Sequence, residues 1–309
     1  MPRISTGRAL RSGRSSDAGT EQPGRGYAGP VTTLRLLHHD AVTAEGETPD
    51  RWLVVLHGIY GSGRNWNTVA RRIARSRPEW GTMLVDLRLH GASRGFEPPH
   101  TLAAAAGDVD RLIRSTRRPV KAVLGHSFGG KVALLHALEH GDGLESLWVV
   151  DSTPEARSPW GSAWEMLAAL RRVPGPFPTR DDGVASLVKL GVAPPVAQWM
   201  ALNLEPDGPG GTAPSTGYRW RLDPAEMEQL LVDFFRSDLW SVVDDPPGAL
   251  TVHVVKAQES SVLSESACRR IEEAGRRTGR VHLHRVGGGH WVNADNPDVL
   301  VDLLSTELP

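Results

Sequence analysis

The sequence predicts an α/β fold in which a mostly parallel sheet is covered by helices on both faces and carries a helical insertion. From residue 31, short apolar runs alternate with segments of helical periodicity, which is typical of parallel sheets. Residues 152–245 break this rhythm and read as several helices. The 309 residues are enough for one large α/β domain with such an insertion.

The core is predicted to span residues 31–151 and 246–309, after a tail over residues 1–30. Its expected strands are the apolar runs 31–39, 52–57, 82–87, 119–124, 146–151, 251–256 and 281–286. Its expected helices are 65–76, 101–116, 129–140, 264–278 and 297–307. Asn296 is expected to cap the last helix, and Pro297 fits the first helical position.

The insertion, residues 152–245, is predicted to form a lid. Its expected helices are 160–172, roughly 181–203 and 224–238, with a Gly/Pro-rich loop over 205–217. A helical insertion after a sheet strand typically covers the carboxyl edge of the strands, where ligands bind. Five of the ten tryptophans lie in it, and we expect most to serve packing and one or two to line a pocket.

Composition excludes several function classes. The net charge of −1 gives no reason to expect binding to nucleic acid or to an anionic membrane. No apolar run is long enough to span a bilayer. The single cysteine, Cys268, excludes internal disulfides and a cysteine-rich metal site, and fits a reducing compartment. We expect neither a metal nor a cofactor.

Residues 1–30 are rich in Gly, Ser and Arg and read as a disordered tail. They hold five Arg against two acidic residues, a balance that a mitochondrial or plastid transit peptide would also have. The whole chain prefers Arg, however, with only four Lys. We therefore predict a cytoplasmic location, with organelle import as the alternative.

The stretch GHSFGG, residues 125–130, predicts a nucleophile. It follows an apolar strand and opens a helix, which is the context of the G-x-S-x-G nucleophile elbow. Gly125 and Gly129 are needed because side chains there would collide where the turn is tightest. Ser127 would then present its hydroxyl above the sheet from a strained conformation. A second match, around Ser93, is followed by Pro98-Pro99 rather than by a helix, and its context argues against it.

A serine nucleophile needs a base and an acid, in the order Ser, acid, His. His290 fits the base because it follows the last strand in a glycine loop, residues 287–289. Asp151 ends the strand after the nucleophile helix and is the favoured acid. Glu259, in the loop after the penultimate strand, is the alternative, and Ser260 could join the same hydrogen-bond network.

Backbone N–H groups must face the carbonyl oxygen that becomes negative during attack. One is expected from Phe128, the residue after the nucleophile. The other is expected from the loop after the strand 52–57, where we choose Ile59, with Tyr60 next.

Together these residues resemble the α/β-hydrolase superfamily, and within it the YbfF-type small esterases and related mitochondrial abhydrolase-domain proteins. The resemblance covers residues 31–308 and rests on the runs HG (57–58), DLRLHGAS (86–93), GHSFGG (125–130) and GHW (289–291). A similar lid run extends from Arg180 through VAQWM (196–200) to YRWRL (218–222). The resemblance implies Asp151 as the acid and Ser260 as a member of its network.

The expected function is hydrolysis of small-molecule carboxylic esters, with thioesters as a further class, through an acyl-enzyme on Ser127. The alternatives are other chemistry on the same fold (carbon–carbon bond hydrolysis, perhydrolysis or acyl transfer) and a ligand-binding protein without catalysis. Epoxide hydrolases and dehalogenases of this fold use Asp at the nucleophile position, and Ser127 argues against both.

Overall fold

The computed structural model describes residues 35–208 and 217–309. The predicted tail over residues 1–30, with its transit-peptide alternative, lies outside the described residues. So do the first residues of the predicted strand 31–39 and the centre of the predicted loop 205–217.

A seven-stranded sheet forms the centre of the molecule, in the order β1-β3-β2-β4-β5-β8-β9. β1 pairs antiparallel with β3, and every other pair in this sheet is parallel, which confirms the predicted fold class. The strands are β1 (His39–Val42), β2 (Arg51–Leu56), β3 (Trp80–Val85), β4 (Val120–His126), β5 (Ser146–Val150), β8 (Thr251–Ala257) and β9 (Val281–Val286). A small antiparallel pair joins β6 (Leu204–Pro206) to β7 (Tyr218–Trp220).

Helices cover both faces of the sheet. Those of the core are α1 (Asn67–Ser76), α2 (Leu102–Thr116), α3 (Phe128–His140), α9 (Glu265–Thr278), α10 (Val292–Asp295) and α11 (Pro297–Glu307). Those of the insertion are α4 (Ser162–Arg172), α5 (Arg180–Lys189), α6 (Pro194–Met200), α7 (Pro224–Arg236) and α8 (Trp240–Asp244). Short 3₁₀ helices span Gly63–Trp66 and Ala201–Asn203.

The side-chain alternation of a strand divides the core into two layers. In β2, Val54 and Leu56 pack with α2, α3 and the insertion, whereas Leu53 and Val55 pack with α1 and α11. Both layers are built from buried aliphatic and aromatic side chains, as a sheet covered on both faces requires.

The prediction of a strand over residues 31–39 was wrong in position. Its described part is irregular up to His38, and the strand begins at His39, opposite Val85. The apolar run misled because, of its described residues, only Leu37 enters the core, while Leu36 is exposed. The edge strand that does form reads HDAV and has no apolar pattern.

Two expectations about helix ends were also wrong. The single helix expected over roughly 181–203 is two, α5 and α6, because Gly191 has a φ of +90° and Pro194 starts a new helix. Asn296 precedes α11, but its side-chain amide donates to the carbonyl of Gly287 instead of capping the helix. Among the described residues, no helix is both long and apolar enough to cross a membrane.

Candidate active site

Ser127 lies at the sharp turn between β4 and α3, with φ 51° and ψ −115°. Such a φ is strained for a residue with a side chain, and tight packing maintains it here. A Cβ on Gly125 would come within 2.0 Å of the carbonyl oxygen of Gly129, and one on Gly129 within 2.5 Å of that of Leu56. Glycine is therefore required at both positions if the turn is to form.

A chain of two hydrogen bonds joins Asp151, His290 and Ser127. The Nδ1–H of His290 donates to Oδ2 of Asp151 at 2.7 Å, since a carboxylate can only accept. This leaves Nε2 of His290 unprotonated, 3.1 Å from the Ser127 hydroxyl. The three side chains come from the ends of β4 and β5 and from the loop after β9, which meet at the carboxyl edge of the sheet.

Asp151 is completely buried, and its other carboxylate oxygen accepts the N–H of Ala257 at 3.2 Å. Its own N–H donates to Val255 in β8, so the backbone is fixed as well as the carboxylate. Glu259 is exposed, and of the two acids considered the structure brings Asp151 to His290.

Ser260 does not join this network. Its hydroxyl accepts the N–H of Val262 at 3.2 Å, and no hydrogen bond links it to Ser127, Asp151 or His290 in the described structure. The Lys256 ammonium donates to the carbonyls of Ala257 and Ser260 in this turn, and the Ser260 hydroxyl is engaged in its local bond to Val262.

Ser93, in the second match to G-x-S-x-G, lies in a different environment from Ser127. The Ser93 hydroxyl is buried and accepts the N–H of His38 at 2.7 Å. The next helix, α2, begins only at Leu102, so Ser93 is not at a strand-to-helix turn.

Among the backbone N–H groups near Ser127, those of Ile59 and Phe128 have no hydrogen-bond partner within the described parts of the chain. Phe128 is the first residue of α3, and Ile59 lies in the loop after β2. Tyr60, the other candidate, is unsuitable because its N–H already donates to Nε2 of His90 at 3.0 Å. The Tyr60 backbone has a φ of +63°, so this loop is a specific and strained conformation.

Two buried histidines hold this loop, and neither role was predicted. His57 accepts the N–H of Leu87 through Nε2 and donates from Nδ1 to the carbonyl of Gly58. His90 accepts from Tyr60 through Nε2 and donates from Nδ1 to the carbonyl of Arg88. Burial lowers the pKa of both, that of His90 to about 3, so both rings stay neutral near pH 7.

His126 contacts the proposed base, His290, and bonds to its backbone. Its Nε2–H donates to the backbone carbonyl of His290 at 2.8 Å, and the two rings lie 4.9 Å apart. Burial, and then the nearby His290, lower the pKa of His126 to about 3. A neutral His126 orients His290 without placing a second positive charge beside it. The only sequence signal for these three histidines is that each is next to a glycine of a motif.

A cavity of about 650 Å³ opens above Ser127, between the sheet edge and the insertion. Its walls are mostly apolar, as ligand cavities are, and come from α4, the α5–α6 turn, α6 and the loop after β9. Among the lining side chains are Met166, Ala169, Leu190, Val192, Trp199 and Trp291. Trp199 is thus the one tryptophan of the insertion among the described residues of this wall. Its ring centre lies 5.9 Å from that of Trp291.

Metal ligands do not gather at this site. Over residues 35–208 and 217–309, no three side chains of His, Cys, Asp or Glu are grouped as a metal would require. The polar groups at the cavity floor are instead engaged with one another in the hydrogen bonds given above.

The comparisons with known proteins match this architecture. The model of the alpha/beta hydrolase family matches residues 53–303. The sn-1-specific diacylglycerol lipase ABHD11 of Xenopus tropicalis is 27% identical over 271 residues, which cover 81% of this chain and 76% of that one. A solved structure, a marine microorganism esterase, superimposes with a TM-score of 0.73 at 24% identity, over 86% of this chain and 97% of the other.

A third relative matches only part of the chain. The 2-succinyl-6-hydroxy-2,4-cyclohexadiene-1-carboxylate synthase of Pectobacterium atrosepticum is 36% identical over 113 residues, 35% of this chain and 41% of that one. The family model, by contrast, spans most of the chain, from β2 to α11. The chain belongs to the alpha/beta hydrolase family.

Proposed function

We propose that this hydrolase cleaves carboxylic esters through an acyl-enzyme on Ser127. The observation that carries the proposal is the hydrogen-bond chain from Asp151 through His290 to Ser127 at the floor of an apolar cavity. An alcohol is a weak nucleophile at neutral pH, and this chain supplies the base that it needs.

In the first half of the reaction, the Ser127 oxygen attacks the ester carbonyl while its proton passes to Nε2 of His290. Asp151 stabilises the resulting imidazolium through the bond to Nδ1. The negative charge on the carbonyl oxygen is met by the free N–H groups of Phe128 and Ile59. His290 then gives the proton to the departing alcohol oxygen, and the acyl group stays on Ser127.

In the second half, water enters from the cavity and His290 takes one of its protons. The hydroxide attacks the acyl carbon, and the same N–H groups stabilise the second tetrahedral intermediate. Collapse returns the proton from His290 to the Ser127 oxygen and releases the carboxylic acid. Thioesters fit the same sequence of steps, with a thiol as the leaving group.

Two further observations support an ester substrate. The cavity walls are mostly apolar, which suits an acyl chain, and four of the curated relatives are lipases by name. A serine, rather than an aspartate, at the nucleophile position is also what an acyl-enzyme mechanism requires.

Hydrolysis of a p-nitrophenyl ester series from acetate to palmitate tests the proposal, with the wild-type protein and Ser127→Ala compared. We expect activity in the wild type and its loss in the variant, with labelling by a fluorophosphonate lost in parallel. Labelling of Ser127 without hydrolysis of any ester or thioester would overturn the proposed substrate class and direct attention to carbon–carbon bond hydrolysis, perhydrolysis or acyl transfer. Absence of labelling in folded protein would overturn the serine mechanism itself.

A further inference from the structure

Lys131 is a buried cation that the proposed reaction does not use. It lies on α3, one turn after Ser127, and is only 1% exposed. No carboxylate pairs with its ammonium among the described residues. A buried ammonium without a counter-ion is costly unless every N–H finds an acceptor.

Three backbone carbonyls provide those acceptors. The Lys131 Nζ lies 2.7 Å from the oxygen of Glu155, 2.7 Å from that of Phe234 and 2.8 Å from that of Ser237. An ammonium has three N–H donors, so the set is complete. Phe234 and Ser237 are at the carboxyl end of α7, where helix carbonyls lack partners and a positive charge is favourable.

These carbonyls belong to the segment by which the insertion leaves the core and to the segment that joins its last two helices, α7 and α8. We call residues 152–157 and 234–239 the insertion stems. The stems are bonded to each other as well, since Arg157 N–H donates to Phe235 at 2.7 Å and Leu239 N–H to Pro154 at 2.9 Å. Lys131 therefore joins both stems, at the place where they meet, to the helix that begins beside Ser127.

We propose that Lys131 is a positioning residue whose ammonium fixes the insertion on the core and thereby sets the shape of the cavity above Ser127. Each stem contributes at least one carbonyl to the same ammonium, so displacement of either stem breaks the set. The Phe234 ring lies 4.7 Å from Nζ and 5.8 Å from the Phe128 ring, which connects the same contact to the residue after the nucleophile.

The ammonium is charged at pH 7. Burial, and then the charge of Arg157, lower the pKa of Lys131 to about 8, while Asp238, Glu155 and Asp233 act in the opposite direction. At pH 7 the proton is retained, and all three N–H donors are present.

Amide hydrogen exchange at pH 7 in the Lys131→Met variant of the full chain tests this inference. The reporters are the N–H groups of Arg157 and Leu239, which bond between the stems. Leu304→Ala is the control, because Leu304 is buried in α11 in the other core layer and its truncation lowers stability without touching the stems. We expect exchange of the two amides to be about tenfold or more faster in Lys131→Met than in the control.

A kinetic measurement adds a readout that a general loss of stability would not produce, and it rests on the proposed function. KM for p-nitrophenyl octanoate should rise in Lys131→Met while kcat for the acetate ester stays within a few-fold. Lys131→Arg, which keeps the charge and several donors, should restore part of both effects.

Equal exchange in Lys131→Met and Leu304→Ala would overturn the inference, whatever the esterase assay gives. If Lys131→Met does not fold, Lys131→Gln is compared with Leu304→Ala instead, because the glutamine amide keeps two N–H donors. Equal exchange in Lys131→Gln and Leu304→Ala would also overturn the inference. A wild-type protein without ester hydrolysis would contradict the proposed function alone, since the exchange experiment needs no substrate.

Discussion

The imidazole of His90 accepts the backbone N–H of Tyr60 at 3.0 Å and so decides which amide of the loop after β2 remains free. The Tyr60 N–H is thus engaged, whereas the Ile59 N–H beside it has no partner in the described structure. The side-chain amide of Asn203 donates to the Tyr60 carbonyl at 2.9 Å, so the insertion holds the same residue from the other side.

Replacing His90 with leucine should therefore lower kcat more than it changes KM. The Tyr60 N–H would lose its acceptor, and the Ile59 N–H would lose its fixed direction. We expect kcat to fall by about 10²-fold, as when one oxyanion donor is removed, with KM within a few-fold. Steady-state kinetics on p-nitrophenyl butyrate measure this.

His136→Leu is the matched control, because His136 is another buried histidine, far along α3 from Ser127. Equal losses of kcat in both variants would contradict the role of His90.

The choice of acid can be tested by a pair of substitutions. Asp151→Asn keeps the shape of the side chain but cannot stabilise an imidazolium, and we expect kcat to fall by about 10⁴-fold. Glu259→Gln should stay within a few-fold of the wild type, because Glu259 is exposed and has no bond to His290. The assay is hydrolysis of a short p-nitrophenyl ester by folded protein, and the opposite ranking would reassign the acid.

How much of this site could be read from the sequence depends on how local each contact is. Ser127, Asp151 and His290 each follow a strand at the carboxyl edge, so strand order and turn residues pointed to them, with Glu259 left open as an alternative acid. Ser260 also lies in such a loop, yet its hydroxyl accepts a local bond from Val262, in a turn whose Ser260 carbonyl binds the Lys256 ammonium. Sequence spacing carries no information about that competition.

The roles of His90 and Lys131 could not be predicted for the same reason. Each acts through backbone groups that are distant in sequence, those of Tyr60 in one case and of Glu155 and Phe234 in the other. A histidine near a glycine or a lysine on an apolar helix face is an ambiguous pattern. The division between α5 and α6, by contrast, was present in the sequence as Gly191 and Pro194, and the apolar periodicity on either side concealed it.

Buried neutral histidines should make the fold sensitive to acid. The pKa of His136 is lowered to about 4, by burial and then by His140, and neither ring nitrogen has a partner in the described structure. In the unfolded chain the same group titrates near 6.5, so unfolding takes up a proton between these values. Stability from the neutral ring is complete above pH 6.5 and is lost as the pH falls toward 4.

The measurement is the free energy of unfolding in urea at pH 8 and at pH 5 for the wild type and His136→Leu. We expect the variant to gain about 2 kcal/mol relative to the wild type on going from pH 8 to pH 5, because it has no proton to take up there. A difference between the two proteins that does not change with pH would show that His136 does not titrate on unfolding.

The acyl-chain preference should follow the volume of the cavity beside α4. Ala169 is buried and lines this cavity, so Ala169→Phe would place a ring in the space that an acyl chain must occupy. We expect kcat/KM for p-nitrophenyl octanoate to fall by about tenfold or more while the value for acetate changes little, since the loss of apolar contact grows with each excluded methylene.

Ala185→Phe, at an exposed position of α5 outside the cavity wall, is the control and should leave the chain-length profile unchanged. A fall for both esters in Ala169→Phe alone would mean that the ring disturbs Ser127 or its partners rather than the acyl site, and an unchanged profile in both variants would place the acyl chain elsewhere in the cavity.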